Sequence, residues 1–217
     1  MSEVDRVCEA YRHCEALVRA HDKDQYLASL FAPAERRPYL FALNAFALEI
    51  GRVKSLVNEP MAGTIRLQWW LEAVSGLRVG EAAASPVMIA LQDAALQSGA
   101  SLAPLAGAVE ARQNELHGTP ATEAAAAVFT MAARFLGVEG DAITTAAARA
   151  AEAVTEPGKA RVAYAVFRAQ VEQLPDAALP AFLSVALVPL RLKRPDAPHW
   201  RRQIVLLRAA WFGFPKL

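Results

Sequence analysis

At 217 residues, 54% of them hydrophobic and 21% charged, the chain is long enough to bury a sizeable core as one domain. Its formal net charge of +1 gives no bulk attraction to nucleic acid or to an acidic partner, so no nucleic-acid partner is expected. Alanine is abundant, no segment alternates with period two, and no apolar run reaches the roughly 18 residues of a spanning helix, so the composition reads as all-α.

The stretch MSEVDRVCEAYRH lacks the basic-then-apolar pattern of a secretory signal. Cys8 and Cys14 lie on one predicted helix and point in different directions, which disfavours a disulfide and fits a reducing compartment. A cytoplasmic protein, soluble or peripheral to the inner membrane, is the expectation.

In chain order, residues 3–20 form an amphipathic helix with Val4, Val7, Cys8, Tyr11, Leu17 and Val18 on its apolar side. Residues 21–24 are a polar break in which Asp24 caps a short helix over 25–31. A long helix follows, entered at Pro33 and regular from Arg37 to Val57, with Leu40, Leu43, Ala47 and Ile50 as its apolar stripe. Arg37, Asn44, Glu49, Arg52 and Lys54 fall on its polar side. Thr64 is read as the cap of the next helix, residues 65–76, which carries Trp69 and Trp70. Adjacent helical residues face different ways, so one Trp is expected in the core and the other is open to a partner or lipid.

Helices are then predicted over 87–98, 102–117 and 123–136. An Ala-rich stretch over 142–155 is weakly patterned and is read as a candidate short helix, and residues 137–158 are the one candidate seam in the chain. Helices over 160–174, 177–192 and 200–211 complete a bundle, although Pro180 and Pro189 interrupt the second of these. His13, His21, His117 and His199 show no ligand spacing, and no serine sits in a G-x-S-x-G elbow.

The long helix carries the one specific signal. Pro33, Arg37, Ala42 and Leu43–Asn44–Ala45–Phe46 stand in the register LPxxxRxAxxALYAFCRxxDDxxD, and the chain resembles the squalene/phytoene synthase family there. Trp69–Trp70 after Glu59–Pro60, the Leu174–Pro175 and Pro180–Ala–Phe–Leu runs, and Trp200–Arg–Arg–Gln resemble the branch related to mitochondrial complex I assembly factors and their alphaproteobacterial relatives. The likeness spans roughly residues 5–136 and 159–212. It implies an isoprenoid synthase-like helical bundle around a central cavity, shortened in its second half, and a partner in respiratory-complex assembly.

In that family two aspartate-rich helices hold Mg²⁺ against substrate diphosphates, and Mg²⁺ demands several hard oxygen ligands. The register puts DDxxD on Gly51, Arg52 and Ser55, so all three carboxylates are replaced and one position is a cation. The second aspartate-rich helix has no counterpart. A catalytically degenerate binding or assembly factor without a metal cofactor is therefore the expected function. Two rivals stay open: an active, Mg²⁺-dependent prenyltransferase and a non-catalytic carrier of lipid or isoprenoid. Arg37, Glu49, Arg66 and Glu115 are the groove candidates, each weighed against an ordinary solvated helix charge.

From residue 191 onward Arg191, Lys193, Arg194, Arg201, Arg202, Arg208 and Lys216 stand against Asp196 alone, interleaved with Trp200, Trp211, Phe212 and Phe214. Trp200, Arg201, Arg202, Arg208 and Trp211 are the candidates for contact with an anionic membrane surface or a partner. The competing reading packs the Trp face on the core and leaves the arginines in solvent.

Overall fold

Ser2 opens the first helix with a capping box: its Oγ accepts from Asp5 N at 3.1 Å, and the Asp5 carboxylate accepts from Ser2 N at 3.0 Å. In the computed structural model, which describes residues 2–78, 80, 84–119, 124–138, 141–152 and 156–216, this helix α1 is Glu3–His21. Its inward stripe is Ala10, Cys14 and Val18, spaced by four. Helix α2, Lys23–Ser29, follows at once, because Asp22 accepts from Gln25 N at 3.0 Å and caps it. The cap expected at Asp24 thus belongs to Asp22, which leaves Asp24 free to turn inward, where it is buried.

Helix α3, Arg37–Leu56, starts where the sequence places it, with Pro38 in the first turn where a missing N–H costs nothing. Leu40, Phe41, Ala42, Leu43, Ala45, Phe46, Ile50 and Val53 are buried, and α3 is the central helix. Helix α4 is Pro60–Val74 and begins at Pro60, not after Thr64. Thr64 lies inside it and donates its hydroxyl to Pro60 O at 3.1 Å, since a pre-set proline already nucleates the turn before. Trp70 is buried and meets Phe46 edge-on, with ring centroids 5.5 Å apart. Trp69 is half-buried on the same core, edge-on to Trp70 at 4.9 Å, so neither Trp projects freely outward. At Gly63 an added Cβ would sit 2.7 Å from Leu116 Cδ1, so glycine lets α4 approach the next helices closely.

Helices α5 (Pro86–Ser98), α6 (Pro104–Leu116), α7 (Ala124–Phe135), α8 (Asp141–Glu152) and α9 (Pro157–Val171) follow. Helix α3 packs against α1, α2, α4, α5, α6 and α7. The expected seam holds α8, which buries Ile143, Ala146, Ala147 and Ala150 against α7 and α9. Its alanines let the three helices come close, and Glu152 Oε1 accepts from Ala125 N at 3.2 Å. The helix expected over 177–192 is instead two 3-10 segments, Asp176–Ala181 and Leu183–Leu187, and a short α10, Val188–Lys193. Pro180 has no N–H to give and Pro189 sits at the start of α10, so neither can lie inside a continuous α-helix. Helix α11 is His199–Phe212.

One large core cluster joins α1 through α10, and a smaller one forms where α11 meets α2 and the second 3-10 segment, through Ala28, Leu183, Leu187, Leu206 and Ala209.

Burial pushes the Cys14 thiol up from 9.0 to about 12, while Cys8 is exposed. A folded-state value above the unfolded one means that the stabilisation is complete below pH 9 and is lost as pH rises toward 12. Across that window stability falls by up to about 1.4 kcal/mol per pH unit for the thiol alone. The buried Tyr164 hydroxyl and the part-buried Tyr11 hydroxyl, which also donates to Asp93, are shifted upward mainly by loss of solvent and add to the alkaline loss. Urea midpoints measured from pH 8 to 11 should decline, and Cys14→Val should flatten the decline. A thiol reagent at neutral pH should label Cys8 alone.

Candidate functional site

A cavity of about 240 Å³ lies between α2, α3, α7 and the first 3-10 segment. Its apolar wall is made by Leu40, Ala47 and Ile50 from α3 and by Val128, Phe129 and Ala132 from α7. Its polar end is made by Asp22, Asp24, Gln25 and Ser29 with Asn44, Ser184, Arg112 and Arg191. Asn44, read from the sequence as part of the polar outer side of α3, in fact faces this cavity. It donates from Nδ2 to Ser29 Oγ at 3.1 Å, and Ser29 donates to Gln25 O at 2.8 Å. Gln25 Nε2 in turn donates to Ser184 Oγ at 3.2 Å, tying α2 to the second 3-10 segment.

The charges of the polar end come from distant parts of the chain. Asp24 Oδ2 accepts from Arg202 Nη1 at 2.8 Å and from Arg191 Nη2 at 3.5 Å. Its Oδ1 is buried and finds no hydrogen-bond partner among the described residues. Burial raises the Asp22 carboxyl, and the nearby Asp24 charge adds to that, against the Gln25 amide and Arg191. From the sequence Asp24 reads as a helix cap and Arg202 as a membrane or partner contact, and nothing there joins them to each other or to Asp22 and Arg191. The Asp22–Lys23–Asp24 spacing was visible there, but the two arginines that answer it are more than 160 positions away.

The positions that take the place of the aspartate-rich motif lie at the C-terminal end of α3. Gly51 is exposed, with Arg112 Nη2 4.0 Å from where its Cβ would be. Arg52 is half-buried, and Ser55 is exposed and donates to Arg52 O at 2.8 Å. Glu115 is held by Arg112 Nη1 at 2.8 Å and Lys54 Nζ at 3.6 Å. Burial works to raise its carboxyl, but the two cations outweigh that and hold it below the usual range. This corner offers one carboxylate, already paired with two cations, and does not fit Mg²⁺, which needs several oxygens in octahedral array. Among the described residues no three His, Cys, Asp or Glu side chains come together as a metal site.

The groove candidates are dispersed. Arg37 donates to Ala32 O at 3.3 Å at the entrance to α3, Glu49 is half-buried, and Arg66 is exposed on α4. Neither they nor Glu115 line the cavity, which Glu115 reaches only through Arg112. On α11, Trp200 and Trp211 are 56% and 77% exposed, so the reading that packs the Trp face on the core is overturned. Arg202 is the inward residue and Arg208 is exposed, while Arg201 lies over the Trp200 ring, 5.0 Å from its centroid. Among the described residues no helix is long and apolar enough to cross a membrane.

Over 80 residues the chain is 39% identical to NADH dehydrogenase (ubiquinone) complex I, assembly factor 6 of Bos taurus, a segment covering 37% of this chain and 24% of that protein. The Homo sapiens protein of the same name is 39% identical over 79 residues, covering 36% and 24%. The Drosophila melanogaster homolog is 36% identical over 73 residues, covering 33% and 22%. The chain thus matches about a quarter of the length of these relatives. No solved structure matches it. The model of the squalene/phytoene synthase family matches residues 18–156, from the end of α1 through α8, and so takes in the whole of the central helix. With more than half its length matched and α3 at its centre, the chain belongs to the squalene/phytoene synthase family.

Proposed function

We propose that the chain is a non-catalytic member of its family that acts as a binding and assembly factor in respiratory complex I biogenesis. The observation that carries this is the likeness to complex I assembly factor 6 in three animals, in a chain whose α3 ends in Gly51, Arg52 and Ser55. Its partner is then a protein of the complex under construction, and its place of action is the inner-membrane surface. In cells lacking the protein, complex I activity and its band on a native gel should fall while other respiratory complexes persist. Normal complex I in such cells would end the assembly reading.

The prenyltransferase alternative has the family behind it but not the residues. Diphosphate departure depends on cations held against the leaving group, and the carboxylates that would hold them are replaced. The cavity, at about 240 Å³, is also smaller than the roughly 300–1,000 Å³ usual for ligand pockets, and condensation needs room for two prenyl diphosphates. Purified protein with Mg²⁺ and farnesyl or geranylgeranyl diphosphate is expected to release no diphosphate. Release that EDTA abolishes would overturn the non-catalytic half of the proposal. The carrier alternative draws on the apolar wall of the same cavity, and lipid extracted from the purified protein would favour it.

A further inference from the structure

Helix α11 is apolar on two opposite faces. At about 100° per residue, Arg202, Leu206 and Ala209 share one side, and Trp200, Ile204, Leu207 and Trp211 fall within an arc of about 60° on the other. The first side is committed: Arg202 reaches Asp24, and Leu206 and Ala209 are buried in the smaller core cluster. The second is bare, with Trp200 56%, Ile204 46%, Leu207 43% and Trp211 77% exposed, and Phe212 beside them at 85%. A helix that docks with one stripe has no need of a second for folding. A continuous exposed stripe with tryptophan at both ends marks a contact surface.

We infer that this outer stripe is an interfacial helix face that seats the protein on an anionic phospholipid bilayer. The charges around it decide for a bilayer over a protein partner. Arg201 and Arg208 follow the stripe along one flank, and Lys193, Arg194 and Lys216 are exposed near its two ends. None of these five is in an ion pair among the described residues, and Asp196 is the only acidic side chain from 191 onward. Cations on the rim of an apolar face meet headgroup phosphates while the rings and aliphatic side chains enter the acyl boundary. Arg202 takes no part, since its guanidinium is held by Asp24. The inference names the contact behind the proposed site of action at the inner membrane, but purified protein tests it apart from complex I assembly.

The test is co-sedimentation with vesicles of phosphatidylcholine mixed with phosphatidylglycerol, against phosphatidylcholine alone, at low and high salt. The protein should pellet with the anionic vesicles at low salt and be released by high salt, because exposed charges are screened. Trp200 and Trp211 are exposed and Trp69 and Trp70 are packed, so binding should also move tryptophan emission to the blue. Leu207→Glu with Trp211→Glu should lower the vesicle affinity by at least about tenfold. Arg201→Glu with Arg208→Glu should do the same and flatten the salt dependence. Circular dichroism and the thermal midpoint should be unchanged in both, as these side chains contribute little to the core. Wild type left in the supernatant with anionic vesicles at low salt, or either variant pelleting like wild type, would overturn the inference. A dimer that the same substitutions dissociate, without vesicle binding, would assign the stripe to a second copy instead.

Discussion

Asp24→Ala is expected to destabilise the protein by about 2–3 kcal/mol, read as a drop in the urea midpoint with little change in slope. Asp24 holds α2 to α10 and α11, with Arg202 Nη1 at 2.8 Å and Arg191 Nη2 at 3.5 Å on one oxygen. Removing it leaves two guanidinium groups with only the Asp22 carboxylate, near Arg191, as a counter-charge. The cost stays below the 3–5 kcal/mol of a fully buried pair, because the Arg202 and Arg191 side chains keep 24% and 37% exposure and can turn toward water. Arg202→Ala should cost less, about 1–2 kcal/mol, since Arg191 remains to serve the carboxylate. A double-mutant cycle between Asp24 and Arg202 should give a coupling of at least about 1 kcal/mol. Additive losses would mean that packing, not the ion pair, holds the helix. Backbone amides of α11 should exchange faster in Asp24→Ala, because the smaller core cluster is then its main attachment.

Phe182→Ala should cost more, about 4 kcal/mol, as a large aromatic removed from a site with no solvent access. Phe182 lies between the two 3-10 segments and stacks on Phe129 of α7 at 5.9 Å and meets Phe167 of α9 at 6.0 Å. Phe167 also contacts Phe214 at 5.0 Å, so the aromatic cluster joins the middle of the chain to its last residues. The loss should appear as a fall in thermal midpoint of about 8–16 °C for a chain of this size. Phe182→Leu, which retains most of the volume, should lose less than half as much. Equal losses for both substitutions would indicate that ring stacking, not the void, sets the cost.

Local and periodic information was sufficient for the all-α class, the start of α3 at Arg37 and the family. Apolar spacing, proline position and the order of residues 33–46 are all properties of neighbours in sequence. The replacement of carboxylates by Gly51, Arg52 and Ser55 was legible for the same reason. Errors arose where two local signals competed. Thr64 looked like a cap, but Pro60 starts α4 a turn earlier and the threonine bonds back to its carbonyl. Asp24 looked like a cap, but Asp22 reaches the Gln25 amide first. The Ala-rich stretch 142–155 reads as a short helix, and α8 is there; residues 137–158 looked like a seam because that pattern is weak, yet small side chains are what allow α8 to pack tightly between α7 and α9.

The cavity and the orientation of α11 were beyond local reasoning. Asp24 meets Arg191 and Arg202 across separations of 167 and 178 residues, and Gln25 meets Ser184 across 159. Nothing in a single sequence ranks one arginine over another as the partner of a given aspartate. Helix α11 offers two apolar stripes, and by hydrophobic periodicity alone the outer one, with Trp200, Ile204, Leu207 and Trp211, is the stronger candidate for burial. The chain itself determined that this helix would carry tryptophans and cations. Tertiary structure decided which face turns inward, because burying Leu206 and Ala209 while pairing Arg202 with Asp24 satisfies a buried charge that the Trp face could not.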